Sequence, residues 1–224
     1  MTEKRYSGIY AIKPWWQRQL AGIEHILVRR HVHPDLITLA GVVCAGLLGG
    51  VLAVSAAYPW LVLAAAPLAV GRLAANALDG LVARDTGLAR PWGEVLNECC
   101  DRVADIMVFV GLALNSDVIS PLAWIVLVLV LLSSYLGVVT KAAGGKRLFG
   151  GLLAKADRMI YLALFSPLIL FYGAGAWNWL LLAFVPALLW TLLQRGRLAY
   201  AILRPLAVSE REACDEHALA DQSL

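Results

Sequence analysis

Long apolar stretches separated by short polar turns dominate the chain from residue 36 onward. A helix that crosses the hydrocarbon core of a bilayer needs about 20 mostly apolar residues. Gly, Pro, Asn, Asp and Ser fill the turns, as expected where helices break. The pattern predicts an all-α integral membrane bundle of six transmembrane helices, at about residues 36–57, 60–82, 91–114, 121–140, 156–172 and 177–193.

The segment before the first apolar stretch has a different pattern. Between Ile9 and Arg30, apolar and cationic side chains recur with helical spacing, which predicts an amphipathic helix. The adjacent Trp15 and Trp16 suit the headgroup level of a bilayer. We therefore expect a helix lying in the membrane interface, with a soluble helix packed on the bundle end as the alternative. The predicted organisation is an interfacial segment, a six-helix membrane domain and a polar cytoplasmic tail, at residues 1–33, 34–204 and 205–224.

Composition and charge support a membrane location. Of the 224 residues, 60% are hydrophobic and only 16% are charged, whereas soluble domains carry about 25% charged residues. The short loops near residues 57–59, 115–120 and 173–176 contain no Lys or Arg. The N-terminal segment, the other loops and the tail contain nearly all of them. The positive-inside rule then predicts a multi-pass protein with both termini in the cytoplasm, as in a bacterial inner membrane.

Charged residues inside two of the predicted spans need a reason, because each costs about 2.5–3.5 kcal/mol at the centre of a membrane helix. Asn76 and Asp79 share a face of the second span with Arg72, and Asn97 and Asp101 share a face of the third. The loop between these spans is short. We therefore expect the two helices to be antiparallel neighbours whose polar faces meet near the cytoplasmic edge of the bilayer.

Two interpretations of these polar faces are open. Oxygen ligands from two facing helices are what a hard divalent cation such as Mg²⁺ or Mn²⁺ requires. Alternatively, Arg72 or Arg102 could neutralise the acids in a buried network that only holds the helices together. Gly80 and Ala83 keep the backbone slim beside Asp79, which leaves room for a ligand and favours a binding site.

The spacing of these residues resembles the signature of the CDP-alcohol phosphotransferase family, D-x-x-D-G-x-x-A-R-x8-G-x3-D-x3-D. Every interval fits, and six of the eight signature positions match in type. The segment Pro34-Asp35-Leu36-Ile37-Thr38 is similar to the family's Pro-Asn-x-x-Thr entry to the first span. The eight positions here are Asn76, Asp79, Gly80, Ala83, Arg84, Gly93, Asn97 and Asp101.

The resemblance implies a reaction, a cofactor and roles for these residues. Family members transfer a phosphoryl-alcohol group from a CDP-linked donor, such as CDP-diacylglycerol, to an alcohol acceptor and release CMP. Mg²⁺ or Mn²⁺, one or two ions, would bind at Asn76, Asp79, Asn97 and Asp101, and Asp101 would be the general base. The resemblance assigns the CDP donor to Gly80, Ala83, Arg84 and Gly93, and it also implies a homodimer.

The chain departs from the family at two metal positions, where Asn76 and Asn97 replace aspartates. An amide oxygen can still coordinate a cation, but the site loses two negative charges. Three interpretations follow: an active enzyme with a less charged metal site, recruitment of Glu98 or Asp105 as a substitute ligand, or a member that has lost catalysis.

Several cations on the predicted cytoplasmic side bear on the identity of the acceptor. Lys141, Lys155 and Arg158 lie on the predicted cytoplasmic side and could contact an acceptor phosphate. The same cations could instead reflect topology and contacts with anionic lipid. A small transporter and a non-catalytic protein that binds lipid or nucleotide are the alternative functions. A transporter predicts polar residues throughout the membrane depth, whereas here they cluster at one side.

Overall fold

The computed structural model describes residues 13–146, 148 and 150–221, and the side-chain surroundings of most residues from 18 to 205. The regular structure within these residues is helical, which confirms the predicted all-α class. The helices are α1 (Lys13–Arg29), α2 (Pro34–Val54), α3 (Ala65–Asp85), α4 (Pro91–Ala113), α5 (Ser120–Ala142), α6 (Lys155–Phe165), α7 (Ile169–Tyr172) and α8 (Trp177–Asp221).

Four helical segments are long and apolar enough to cross a membrane: Pro34–Val54, Pro59–Asp85, Ser120–Ala142 and Ala174–Pro205. These segments show that the chain is a membrane protein. The third and fifth predicted spans are absent from this set. The helix α4 carries too many charged residues, and α6 has only 11 residues. Helices are present at all six predicted positions, but only four of these segments are long and apolar enough to cross a membrane.

Prolines account for several helix boundaries. Pro34, Pro91 and Pro121 lie in the first turns of their helices, where a missing N–H costs nothing. Pro167 falls between α6 and α7, in the 3₁₀ turn Ser166–Leu168, so the predicted fifth span is broken rather than continuous. The last helix is longer than predicted, because α8 continues through Pro205 to Asp221.

The helix α2 organises the bundle. It packs closely against both α3 and α4, while α4 packs on α5, α5 on α8, and α3 on α6. By contrast, α3 and α4 approach each other mainly through polar side chains. The polar faces of α3 and α4 therefore meet, although the two helix backbones pack mainly against α2. The gap between them is a polar cleft backed by α2.

The N-terminal helix α1 packs on α3. Its Leu20 is buried in a small apolar cluster with Ile37 and Leu78, whereas Ile23 and Ile26 are exposed. A helix is therefore present here, with one apolar side chain packed on the bundle and two others exposed. The side chains of Trp15 and Trp16 lie outside the described residues, and an interfacial position remains a prediction.

A buried polar network joins the helices at the end of the bundle away from the cleft. The Nδ2 of Asn115 donates to the Leu52 carbonyl at 2.7 Å and to Ser55 Oγ at 2.8 Å. Trp177 Nε1 donates to the same hydroxyl at 3.3 Å. These bonds join the end of α2, the turn after α4 and the start of α8. The cleft lies at the opposite end of the bundle.

A glycine contact sets the approach of α2 to α4. A side chain at Gly49 would collide with the backbone of Met107, whereas the next residue, Gly50, faces open space. We expect Gly49→Ala to destabilise the protein by about 1–3 kcal/mol, because the helices must move apart. Gly50→Ala is the matched control and should leave stability unchanged or raise it by up to about 1 kcal/mol. Thermal unfolding of both variants in detergent measures this, and equal stabilities would contradict the assigned contact.

Candidate active site

The cleft is lined by one face of α3, one face of α4 and the start of α6. Asn76 on α3 contacts both Asn97 and Asp101 on α4, and Asp79 follows Asn76 by about one turn along α3. Both aspartates are buried. Lys155, the first residue of α6, reaches into the same space and pairs with Asp101.

Asp79 is held by neutral donors from two helices. Its Oδ2 accepts a hydrogen bond from Thr38 Oγ1 on α2 at 3.0 Å. Its Oδ1 accepts from the backbone N–H of Gly80 at 2.6 Å. The Thr38 hydroxyl is also within 3.3 Å of the Pro34 carbonyl, one turn earlier. Thr38 therefore orients the Asp79 carboxylate, a role that the linear pattern did not indicate.

Asp101 is held mainly by cations. Its Oδ1 accepts from Arg72 Nη2 at 2.6 Å and from Asn76 Nδ2 at 3.3 Å, and it also pairs with Lys155. Arg102 lies 3.9 Å from the second carboxylate oxygen. Two close cations thus balance more than the charge of Asp101. The predicted neutralisation by Arg72 is present, and it acts on Asp101.

Asn76 and Asn97, which replace two aspartates of the family signature, contact each other. Asn76 Nδ2 donates to Asn97 Oδ1 at 3.1 Å and, as above, to Asp101. All three side chains therefore belong to one hydrogen-bonded cluster. A carboxylate at position 76 would face the negative charge of Asp101 and could not donate to it, whereas the Asn76 amide donates to both Asp101 and Asn97.

A second ion pair lies one turn further along α4. Asp105 Oδ2 accepts from Arg158 Nη2 at 2.9 Å, and their side chains are only 2% and 1% exposed. Arg158 also donates to the Leu153 carbonyl at 3.4 Å. Arg158 therefore neutralises Asp105. The pairing argues against Asp105 as a substitute metal ligand, which stays a hypothesis.

The other hypothetical substitute, Glu98, lies 4.0 Å from Arg102 on the following turn of α4. Among the residues that the structure describes, no three His, Cys, Asp or Glu side chains come together as a metal-binding group. Glu98 therefore does not complete a carboxylate cluster with Asp79 and Asp101.

Ion pairs at the rim of the cleft link elements that are distant in sequence. Glu94 pairs with Lys141 at the end of α5, and Asp35 pairs with Arg90 at 2.5 Å. Lys141 therefore lies at the rim and, unlike Lys155, does not reach Asp101. Of the three predicted acceptor contacts, Lys155 joins the centre of the cleft and Arg158 is buried beside it.

The residues that the resemblance assigns to the nucleotide lie at the open end of the cleft. Gly80, Ala83 and Gly93 are half-buried, and Arg84 is exposed. A Cβ on Gly80 would come within 3.5 Å of the Arg84 guanidinium, and a Cβ on Gly93 would come equally close to the Arg90 side chain. Both glycines therefore lie beside arginine side chains at the edge of the cleft.

The fold and the cleft define a helical membrane protein with a buried, charge-paired polar site. Comparison with known proteins identifies its family. The family model for CDP-alcohol phosphatidyltransferase matches residues 31–192. The chain belongs to this family and is a transferase of substituted phosphate groups.

Curated relatives agree with the family. The chain is 31% identical to inner membrane protein YnbA of Escherichia coli over 84% of its length and 94% of that protein. It is 29% identical to phosphatidylinositol phosphate synthase of Cutibacterium acnes, over 65% of this chain and 70% of that protein.

Solved structures show the same fold. A Mycobacterium tuberculosis phosphatidylinositol phosphate synthase (PgsA1) with manganese and citrate is 25% identical, with a TM-score of 0.65. The match covers 80% of this chain and 88% of that one. The same protein with CDP-DAG bound is 24% identical, with a TM-score of 0.66, over 82% of this chain and 94% of that one.

Proposed function

We propose that the protein transfers a phosphatidyl group from CDP-diacylglycerol, or a related CDP-alcohol, to an alcohol acceptor and releases CMP. The observation that carries this proposal is the convergence of Asp79 and Asp101 from two helices on one cleft. The family signature surrounds them at every interval. A cleft at the cytoplasmic edge of the membrane would leave the lipid tails in the bilayer and release CMP into water.

The reaction is a displacement at phosphorus. The acceptor oxygen forms a bond to the phosphorus that carries the diacylglycerol. The bond from that phosphorus to the bridging oxygen breaks, and its electron pair leaves with CMP. Asp101 takes the acceptor proton as general base. Arg72 and Asn76 hold the Asp101 carboxylate in place at the centre of the cleft.

The residues present fit one divalent cation. Asp79 and Asp101 provide carboxylate oxygens, and Asn76 and Asn97 provide amide oxygens, which are ligands that Mg²⁺ and Mn²⁺ accept. We propose one ion rather than two, because Asn76 and Asn97 bring no negative charge and Asp101 is already paired with Arg72 and Lys155. When bound, the ion would stabilise the charge that develops on the leaving phosphate.

The donor and acceptor would enter the cleft from different sides. The half-buried Gly80, Ala83 and Gly93, with the exposed Arg84, leave space for the cytidine nucleotide. The cations beside the α6 side of the cleft favour an acceptor that carries a phosphate group. The exposed rim residue Lys141 is the proposed acceptor contact, whereas Arg158 is buried in its pair with Asp105.

The membrane arrangement belongs to the same proposal. The distribution of Lys and Arg supports six spans with both termini and the cleft in the cytoplasm. The charged α4 and the short α6–α7 rod would cross the bilayer inside the bundle, where their polar groups face protein. Resemblance to the family supports a homodimer.

The test is CMP release by the purified full-length protein in detergent or nanodiscs. We expect release from CDP-diacylglycerol with Mg²⁺ or Mn²⁺ and with one alcohol from a panel that includes phosphorylated and unphosphorylated acceptors. The acceptor that supports release also identifies the product. Nucleotide binding without CMP release under any condition would contradict catalysis and favour a protein that binds lipid or nucleotide only.

A further inference from the structure

The cleft carries two fewer negative charges than the four-aspartate signature of the family would give it. Two of four carboxylates are absent, because Asn76 and Asn97 are neutral. The difference of two negative charges equals the charge of one divalent cation. A donor diphosphate still needs neutralising as CMP leaves, so another positive group must serve it in this chain.

Two cations contact Asp101, and they differ in mobility. Arg72 is buried on α3, 6% exposed, with its guanidinium 2.6 Å from the carboxylate and packed near Gly41. The Lys155 side chain is 20% exposed at the start of α6; its Nζ is buried beside Asp101, and a flexible four-carbon stem carries it. Lys155 can therefore leave Asp101 while Arg72 remains.

We propose that Lys155 replaces a second divalent cation: its ammonium moves from Asp101 to the diphosphate of the donor and neutralises the leaving phosphate. This proposal rests on the proposed function. It also explains why Asp101 tolerates two cations, since one of them departs when the donor binds. Arg72 and Asn76 then orient the Asp101 carboxylate toward the acceptor hydroxyl.

The first test removes the charge of Lys155. We expect Lys155→Met to lower CMP release about 10²-fold, the usual effect of losing one electrostatic contact to a transition state. Lys155→Arg keeps the charge and should stay within about tenfold of the wild type. Lys146→Met, in the exposed loop after α5, is the matched control and should not change the rate. A wild-type rate in Lys155→Met would overturn the proposal.

The second test restores the lost carboxylates. Electron paramagnetic resonance of Mn²⁺ should count one bound ion per wild-type chain and two in the Asn76→Asp, Asn97→Asp double variant. Adding Lys155→Met to that double variant should cost less than about tenfold in rate, because the second ion now serves the phosphate. Two Mn²⁺ ions per wild-type chain, or a full additive loss in the triple variant, would contradict the role of Lys155.

A third measurement is independent of turnover. In EDTA, CDP should raise the unfolding temperature of the wild-type protein, and Lys155→Met should abolish that shift. An equal shift in both proteins would count against the proposal. If the wild-type protein releases no CMP with any donor and acceptor, the proposed function fails, whereas the Mn²⁺ count and the CDP shift still decide whether Lys155 binds the diphosphate.

Discussion

Replacing Asp101 with Asn is expected to lower CMP release by about 10³-fold or more, because the amide cannot accept the acceptor proton. The same change removes the negative charge that balances Arg72 and Lys155 at the centre of the cleft. The shape of the side chain is conserved, so the loss should appear in turnover more than in the amount of folded protein. The measurement is CMP release at saturating donor and metal.

The control for this prediction is Asp117→Asn. Asp117 is an exposed acid in the turn at the other end of the bundle; its backbone N–H donates to Asn115 Oδ1, and its carboxylate accepts only a 3.3 Å bond from the adjacent Ser116 hydroxyl among the described residues. We expect this variant to retain the wild-type rate and elution volume. An Asp101→Asn protein that folds normally and keeps more than about a tenth of the wild-type rate would rule out Asp101 as the general base.

Breaking the Asp105–Arg158 pair should have the largest effect on stability. Both side chains are almost fully buried, so Asp105→Leu leaves the Arg158 guanidinium without its countercharge. Removing one partner of such a pair costs about 3–5 kcal/mol. The double variant Asp105→Leu, Arg158→Met replaces both charges with apolar groups of similar size, and we expect it to recover most of that loss.

Thermal unfolding in detergent measures the loss of stability in Asp105→Leu and its recovery in the double variant, independently of activity. The exposed pair of Glu94 and Lys141, whose side chains are 52% and 49% exposed, provides the comparison. Glu94→Gln should cost no more than about 1 kcal/mol, because water screens the pair. If the double variant of Asp105 and Arg158 were as unstable as Asp105→Leu alone, the buried pair would not explain the loss.

The local features of this protein were predictable from the order of residues. Apolar stretches and prolines located the six rods, since both act within a few turns of helix. The spacing of Asp79 and Asp101 placed both on the facing sides of two helices, and the structure brings them into one cleft. The break of α6 at Pro167 was missed because apolar residues continue through it.

The partners of the cleft residues were less predictable. Arg158 and Asp105 are 53 positions apart in sequence, and the approach of α6 to α4 joins them. In the sequence, Lys155 is one of several cations between two predicted spans. Its pairing with Asp101 also depends on the approach of α6 to α4. Charge spacing along a chain does not reveal which charges meet.

The order of residues alone was enough to predict a helical membrane bundle with Asp79 and Asp101 on two facing helices, because hydropathy and helical periodicity are local properties. Three features depend on the packing of distant segments: α2 packs against both α3 and α4, Thr38 orients Asp79, and Lys155 pairs with Asp101. The reason is physical: packing of glycine-lined helices sets which rods touch, and the low dielectric of the interior then selects the charge pairs that can be buried there.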